Sequence, residues 1–286
     1  MGNGVDRQDR RWGGFVILQS VEIKEFQKTV WDYYGENRRA MPWRDVITPY
    51  RTFVSEVMLQ QTQVARVMEK FPQFIKQFPS FKALATAPLN ELLSVWQGMG
   101  YNRRALYLKK SAETVVRDYH GRLPRSPEEL EKLAGIGPAT ARSIAAYAWN
   151  APVAFIETNI RAVFLHHFFA GRSGVSDSQL LPFVEAALDR KNPREWYYAL
   201  MDYGVMLKRL HKNPSRASLH HTKQSKFEGS VREVRGKIVR LLASGAFTDV
   251  VLAKRASEPA VKIKIALAGL VRDGLIKKTG RKFAVA

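Results

Sequence analysis

The chain has 286 residues, with 46 Lys and Arg against 26 Asp and Glu, a formal net charge of +20 and a pI near 10.2. At 45% hydrophobic it can build one large domain or two smaller ones with real cores. It lacks the run of about 20 apolar residues that a membrane helix needs, and with no cysteine it excludes disulfides, thiol catalysis and thiolate-held metal or iron–sulfur centres.

The polar, basic N-terminus has no apolar core, so no secretory signal is read there, and residues 1–20 are expected to be a flexible tail. A cytoplasmic location fits. The charge excess points to a polyanion, nucleic acid ahead of an anionic membrane surface. From Val205 to Ala286 there are 19 Lys or Arg and 5 Asp or Glu, which is +14 of the total, so the C-terminal part is expected to act as an electrostatic clamp.

In chain order, helical spacing runs over 21–39, followed by a loop containing MPWR (41–44). Residues 53–78 read as two helices broken at Pro72. Shorter helical runs cover 81–87, 89–96, 103–118, 127–133 and 139–149. An apolar PVAFI leads into a helix from Thr158 to Phe169, and two more lie at 177–189 and 194–209. The body is therefore expected to be all-α. Residues 211–226 read as a basic linker. The remainder, 227–286, reads as three helices and a two-stranded hairpin with Thr-Gly at its tip, an order that resembles a winged helix-turn-helix.

Two stretches echo each other. Leu93, Trp96, Gly98 and Gly100 align with Leu130, Leu133, Gly135 and Gly137 at a shift of 37 residues. Each places Gly-x-Gly between two helices. The second, LAGIGP, resembles a helix-hairpin-helix: glycines permit the tight turn, the exposed N–H groups of the following helix can meet a phosphate, and Pro138 suits a first helical turn. Such a device grips DNA backbone without reading sequence.

MPWR, TPYRTFVSEVMLQQTQV (48–64), LLSVWQGMGYNRRALYL (92–108), LEKLAGIGPATARSI (130–144), FIETNIRAV (155–163) and MDYGVM (201–206) occur in the order and approximate spacing of the HhH-GPD superfamily of base-excision DNA glycosylases. They are most similar to its MutY-type, adenine-specific branch, over roughly residues 25–210. The resemblance implies a two-lobed helical fold, with a six-helix lobe at about 49–156 and a second lobe from 21–48 plus 157–222. It also implies duplex DNA as the partner and a monomer, while the lack of cysteine for the family's iron–sulfur cluster leaves no cofactor expected.

Breaking an N-glycosidic bond needs a proton for the leaving base and a carboxylate for the cation developing on the sugar. Glu56 lies in the apolar helix FVSEVML, where burial would raise its pKa as a general acid requires, and the family's Glu at this place protonates adenine. Glu157 precedes a helix, whose dipole would favour its ionised form. The family carries Asp here, which leaves three readings of the longer side chain: a retained catalytic carboxylate, a re-tuned substrate range, or a helix cap without catalysis. Asn159 matches the family's Asn beside the carboxylate. Gln60 and Gln61 fall on the helix tip that wedges into the duplex where a base leaves. Gly98, Gly100, Tyr101, Gly135, Gly137, Ala139, Thr140 and Arg161 complete the candidate DNA contacts.

Ala139 occupies the slot where bifunctional relatives hold a Lys nucleophile, so base release without strand cleavage is expected. Two departures from the MutY type bear on substrate. The family's four-Cys iron–sulfur loop is represented by a stretch without cysteine, in which His211, His220 and His221 lack the spacing and partners of a metal site. The family's Nudix-like C-terminal module is absent, its place taken by the winged-helix-like unit. Rival readings are a glycosylase for mispaired thymine or uracil or for hypoxanthine, and a catalytically silent DNA-damage binder or winged-helix regulator.

Overall fold

The computed structural model describes residues 7–211, 213–219 and 226–286, with side chains from Val21 onward. In chain order the helices are α1 (Arg7–Asn37), α2 (Pro42–Asp45), α3 (Pro49–Leu59), α4 (Val64–Gln77), α5 (Phe81–Thr86), α6 (Leu89–Val95), α7 (Arg103–Asp118), α8 (Pro127–Leu130), α9 (Pro138–Trp149), α10 (Thr158–Phe168), α11 (Asp177–Ala186) and α12 (Pro193–Leu210). A 3-10 turn at Pro214–Ala217 precedes α13 (Val231–Leu242), β1 (Phe247–Thr248), α14 (Asp249–Ala256), α15 (Ala260–Arg272), β2 (Ile276–Thr279) and β3 (Lys282–Val285). None of the described helices is long and apolar enough to cross a membrane.

The chain forms two compact units, Met1–Ala40 with Asn150–Thr222, and Met41–Trp149 with Lys223–Ala286. These boundaries differ from the expected 49 and 157 for physical reasons. MPWR is a short helix, not a loop, and its Trp43 ring packs on Phe71 of α4 with centroids 5.6 Å apart, which ties it to the second unit. PVAFI belongs to the first unit: Phe155 lies 4.1 Å from the Tyr197 ring, whose hydroxyl donates to the Val153 carbonyl. The C-terminal unit is likewise counted with the six-helix core and not apart from it. Helix α1 starts at Arg7, so most of the expected tail has helical backbone; FVIL (15–18) supplies residues compatible with it.

In the first unit, α1 and α10 both pack on α12. Aromatic rings form the joint: Phe26 lies 5.1 Å from Phe164 and 5.9 Å from Trp196, and Trp31 lies 5.6 Å from Trp196. Buried Asp202 accepts from the backbone N–H and the guanidinium of Arg39.

In the second unit, Thr48 caps α3 by accepting from the Arg51 N–H, with Pro49 in the first turn. The predicted break at Pro72 is misplaced. Pro72 rides inside α4, at the cost of one backbone hydrogen bond, because Val67, Phe71 and Phe74 bury a stripe at i, i+4, i+7 that holds the helix through it. The chain turns instead at Gln61, whose φ of +54° is left-handed.

The end of α3 and the first Gly-x-Gly turn are joined by Arg104, at the start of α7. Its buried guanidinium donates to the carbonyls of Val57, Met58, Gln60, Met99 and Gly100 and to the Thr62 hydroxyl. A cation at the α3 C-terminus also answers that helix's dipole. Burial lowers the Arg104 pKa to about 10, which still leaves it charged at neutral pH.

The C-terminal residues form three helices with a small antiparallel sheet in the order β1-β3-β2. Ile276 pairs with Val285 and Thr279 with Lys282 across the Gly280 turn. This matches the expected winged-helix arrangement. The sequence pattern missed β1 because two residues carry no alternation.

Arg104→Met leaves the buried Val57 and Met58 carbonyls without the guanidinium and removes a donor from the others, and a stability loss of at least about 3 kcal/mol is expected in urea unfolding. Arg104→Lys, with a compact ammonium in place of the forked guanidinium, should recover less than half of it.

Candidate active site

Glu56 sits half-buried near the end of α3, between buried Ser55 and Val57. Helices α3 and α9 pack together, and α9 brings buried Ser143 to the carboxyl group, Oγ to Oε2 at 2.6 Å. The same hydroxyl lies 2.9 Å from the Thr140 carbonyl. This pair of partners lets Ser143 serve both protonation states. With Glu56 ionised the hydroxyl donates to it. With Glu56 protonated the carboxyl donates to Oγ, and the serine hydrogen turns to the Thr140 carbonyl.

Gln60 reaches the second hairpin, its amide donating to the Gly135 carbonyl at 3.3 Å and the Thr140 hydroxyl at 3.4 Å. Gly135 has φ +77°, and a Cβ there would lie 2.4 Å from Tyr107 Cδ2, so both backbone shape and close packing require glycine. Gly137, Pro138 and Ala139 are exposed, which leaves the start of α9 open to solvent. At the first hairpin, Gly98 and Gly100 have φ of +87° and +69°, and the Trp96 indole donates to the Gly100 carbonyl at 3.0 Å. Tyr101 follows, exposed and itself left-handed at +46°. Gln61 and Tyr101 are thus two exposed non-glycine residues in strained backbone, a conformation that persists where surrounding structure imposes it. Here Arg104 imposes it on both.

In the first unit, Glu157 caps α10. Its Oε1 accepts from the N–H groups of Asn159 and Ile160, at 2.5 and 2.9 Å. The Asn159 amide donates to Glu157 Oε2 at 3.4 Å, and its carbonyl oxygen accepts from Lys208 Nζ on α12 at 2.8 Å. Helix α12 comes this close because of Gly204: a Cβ there would lie 2.7 Å from the Asn159 backbone oxygen. Burial pushes the Glu157 carboxyl above the usual carboxylate range, opposed by the Ile160 N–H, Lys208, the Asn159 N–H and Arg161. Burial thus works against the helix dipole that is expected to favour the ionised form. A dipole interaction of about 0.3–1 kcal/mol is small beside the cost of desolvating a charge. Lys208 is lowered, mainly by burial, with Glu157 opposing.

Arg161, expected to contact DNA, is held by Asp177 through two 2.7 Å hydrogen bonds. Just beyond α12, Ser215 of the 3-10 turn donates to the Thr158 carbonyl, and the parallel bridge of Val175 with Ser218 fastens the same segment. His220 and His221 lie outside the described residues. Among those described, no group of three or more His, Asp or Glu is placed to hold a metal.

The structure therefore gathers Glu56, Gln60, Gly135 and Thr140 around Ser143, places Gln61 and Tyr101 on either side of Arg104's network, and gathers Glu157 and Asn159 around Lys208. Ser143, Arg104 and Lys208 are additions that the sequence reading passed over. Arg104 carried a signal, since it shares the buried stripe of α7 with Leu108, Ser111 and Val115.

Residues 54–182 match the family described as HhH-GPD superfamily base excision DNA repair protein. The adenine DNA glycosylase of Mycolicibacterium smegmatis is 31% identical over 278 residues, covering 89% of this chain and 94% of that protein. That of Buchnera aphidicola subsp. Baizongia pistaciae is 32% identical over 184 residues, covering 64% and 52%. The human adenine DNA glycosylase is 31% identical over 197 residues, covering 65% and 36%. The Mycolicibacterium protein aside, the chain spans about half the length of these relatives or less. Among solved structures, a thermostable thymine-DNA glycosylase aligns with a TM-score of 0.59 at 25% identity, covering 65% of this chain and 87% of that one. An endonuclease III trapped covalently on DNA aligns at 0.53 and 19% identity, covering 73% and 90%, a likeness of fold.

Glu157 should titrate above the ordinary glutamate value of about 4.3, read by carboxyl NMR. Because the native pKa is raised, this group's contribution to stability is present below that ordinary value and is lost as pH rises through the native one. Lys208→Met removes a cation that opposes the rise, so the native titration should move to still higher pH.

Proposed function

Because the chain belongs to the HhH-GPD superfamily of base excision DNA repair proteins, on the branch of the adenine DNA glycosylases, we propose that it excises mispaired adenine from duplex DNA. It does so as a monofunctional glycosylase, acting as a monomer in the cytoplasm. The observation that carries this reading is the Glu56 carboxyl held by the Ser143 hydroxyl beside an exposed Gly-x-Gly-Pro turn.

The chemistry follows from the groups. Glu56 gives its proton to a ring nitrogen of the extruded base, and the C1′–N bond breaks as the base leaves neutral. Electron density lost from C1′ is balanced by the sugar ring oxygen, giving an oxocarbenium-like cation that Glu157 stabilises as a carboxylate. Water then bonds to C1′ and releases a proton. Asn159, bonded to Glu157 and Lys208, would orient the sugar or that water. After the base leaves, Ser143 accepts from solvent-returned Glu56–H or donates to its ionised form, so the acid can be reloaded in place. The exposed turns at Gly98–Tyr101 and Gly135–Ala139 grip phosphates, and Gln61 fills the gap left in the base stack. Ala139 offers no amine, so the abasic product stays uncleaved.

A second reading, excision of thymine from a G:T mismatch, is favoured by the likeness to the thymine-DNA glycosylase structure. Single-turnover base release across a panel of mismatched and damaged duplexes, with and without alkali, separates the two. Adenine release with strand breaks only after alkali is expected. Thymine release with none of adenine would reject the first reading, strand breaks without alkali would reject monofunctionality, and duplex binding with no release from any substrate would point to a silent binder.

Glu56→Gln should abolish base release while duplex binding persists. Ser143→Ala should slow the single-turnover rate about tenfold with binding unchanged, consistent with loss of one hydrogen bond to a charged group.

A further inference from the structure

The C-terminal unit reaches the first hairpin in two places. Asp273, at the end of α15, is almost fully buried and pairs with Arg103 of α7 and Arg235 of α13. Burial alone would push its carboxyl up, but the two guanidinium groups outweigh that and hold it below the usual aspartate range. Gly269 on α15 lets Arg235 approach, since a Cβ there would lie 2.5 Å from its Nη1. Helix α13 is therefore fixed against the start of α7, one turn from Tyr101. The second place is Tyr101 itself. Arg232 of α13 donates to the Tyr101 hydroxyl at 2.7 Å, with its guanidinium carbon 5.8 Å from the ring centroid. The Arg104 guanidinium carbon lies 5.6 Å from the same centroid.

By its order in the helix-turn-helix pattern, α15 holds the place of the groove-entering helix. Its exposed side mixes Val261, Ile265 and Val271 with the cations Lys264 and Arg272. At the first hairpin, Arg232 of α13 and Arg104 of α7 both lie against one aromatic side chain, Tyr101, at a turn that faces solvent.

We propose that the C-terminal unit is a positioning element for Tyr101: latched through Asp273, it holds Arg232 against that ring and so presets the tyrosine for contact with DNA at the lesion. This rests on the reading of the chain as a lesion-binding glycosylase. A tyrosine on a left-handed turn loses conformational freedom on binding DNA, and a guanidinium already bonded to its hydroxyl removes part of that cost beforehand. Arg232 is then a positioning residue that acts through Tyr101, not an independent grip on phosphate.

A double-mutant cycle on the full chain tests this, read as the dissociation constant for a duplex carrying a tetrahydrofuran abasic-site analogue. Arg232→Ala is expected to weaken that binding about tenfold in the unaltered background and less than about twofold once Tyr101→Ala is present. Arg232→Lys keeps the charge without the planar fork and should recover less than half of the loss on a logarithmic scale. Equal losses in the two backgrounds, full recovery by lysine, or unchanged binding in Arg232→Ala would each overturn the proposal. The salt slope gives a further reading. If Arg232 neutralised a phosphate, Arg232→Ala would reduce the slope by about one, whereas the positioning role leaves it unchanged. Base release by the unaltered chain is scored separately. Its absence from every duplex would reject the glycosylase reading, and additive losses alongside normal release would reject only the role of Arg232.

Discussion

A single buried cation organises the half of the molecule that carries Glu56. Among the described residues, no carboxylate pairs with Arg104. Its charge is spread over backbone carbonyls from the end of one helix and from a glycine turn that follows another. The Val57 and Met58 carbonyls belong to the last turn of α3, which has no intrahelical donors for them, and the Met99 and Gly100 carbonyls accept from the Thr62 hydroxyl and the Trp96 indole as well as from the guanidinium. The arginine satisfies both sets at once, and in doing so it fixes where Gln61 and Tyr101 emerge. Its guanidinium also lies between two rings, 5.3 Å from the Trp96 centroid and 5.6 Å from that of Tyr101. The tryptophan side of this arrangement is buried, and only the tyrosine side opens to solvent.

The two carboxylates are handled differently. Glu56 is met by one hydroxyl that can reverse its role, which suits a group that must carry and give up a proton. Glu157 is met by backbone N–H groups and, through Asn159, by an ammonium, which suits a group whose negative charge is wanted after a neighbouring cation forms. Desolvation makes that charge costly while no cation is present. The same desolvation strengthens its attraction to a cation once one appears. The glutamate in place of the family's aspartate keeps a helix-capping geometry, so its extra methylene does not cost it the backbone partners.

The fold was legible where the sequence repeats a physical device. The Gly-x-Gly echo corresponds to two real turns, with Gly98 and Gly135 both left-handed, although Gly137 does not share the conformation of Gly100. Helix α7 falls on its predicted span because its apolar stripe and flanks agree. The reading failed where a local rule was outweighed by packing. Pro72 looked like a break and is carried by the aromatic residues around it. MPWR looked like a loop and is a helical turn pinned by Trp43. Among site residues, Ser143 was hidden because it opens an unbroken buried run, 143–148, so that no stripe marks one face of α9 as special. Lys208 was hidden among the basic residues closing α12, and only the close approach at Gly204 reveals that this part of the helix runs against Asn159.

The segment after α12 has a consequence of its own. It follows the helix where similar enzymes begin a cysteine-held cluster, and here it is fastened by a serine hydroxyl on the Thr158 carbonyl and by a two-bond bridge to Val175. Amide and hydroxyl bonds do not respond to peroxide, to chelators or to the supply of iron. The bonds that fasten this segment beside Glu157 are accordingly not redox bonds, and oxidative stress, a condition that creates lesions in DNA, has no thiolate–metal bond there to sever.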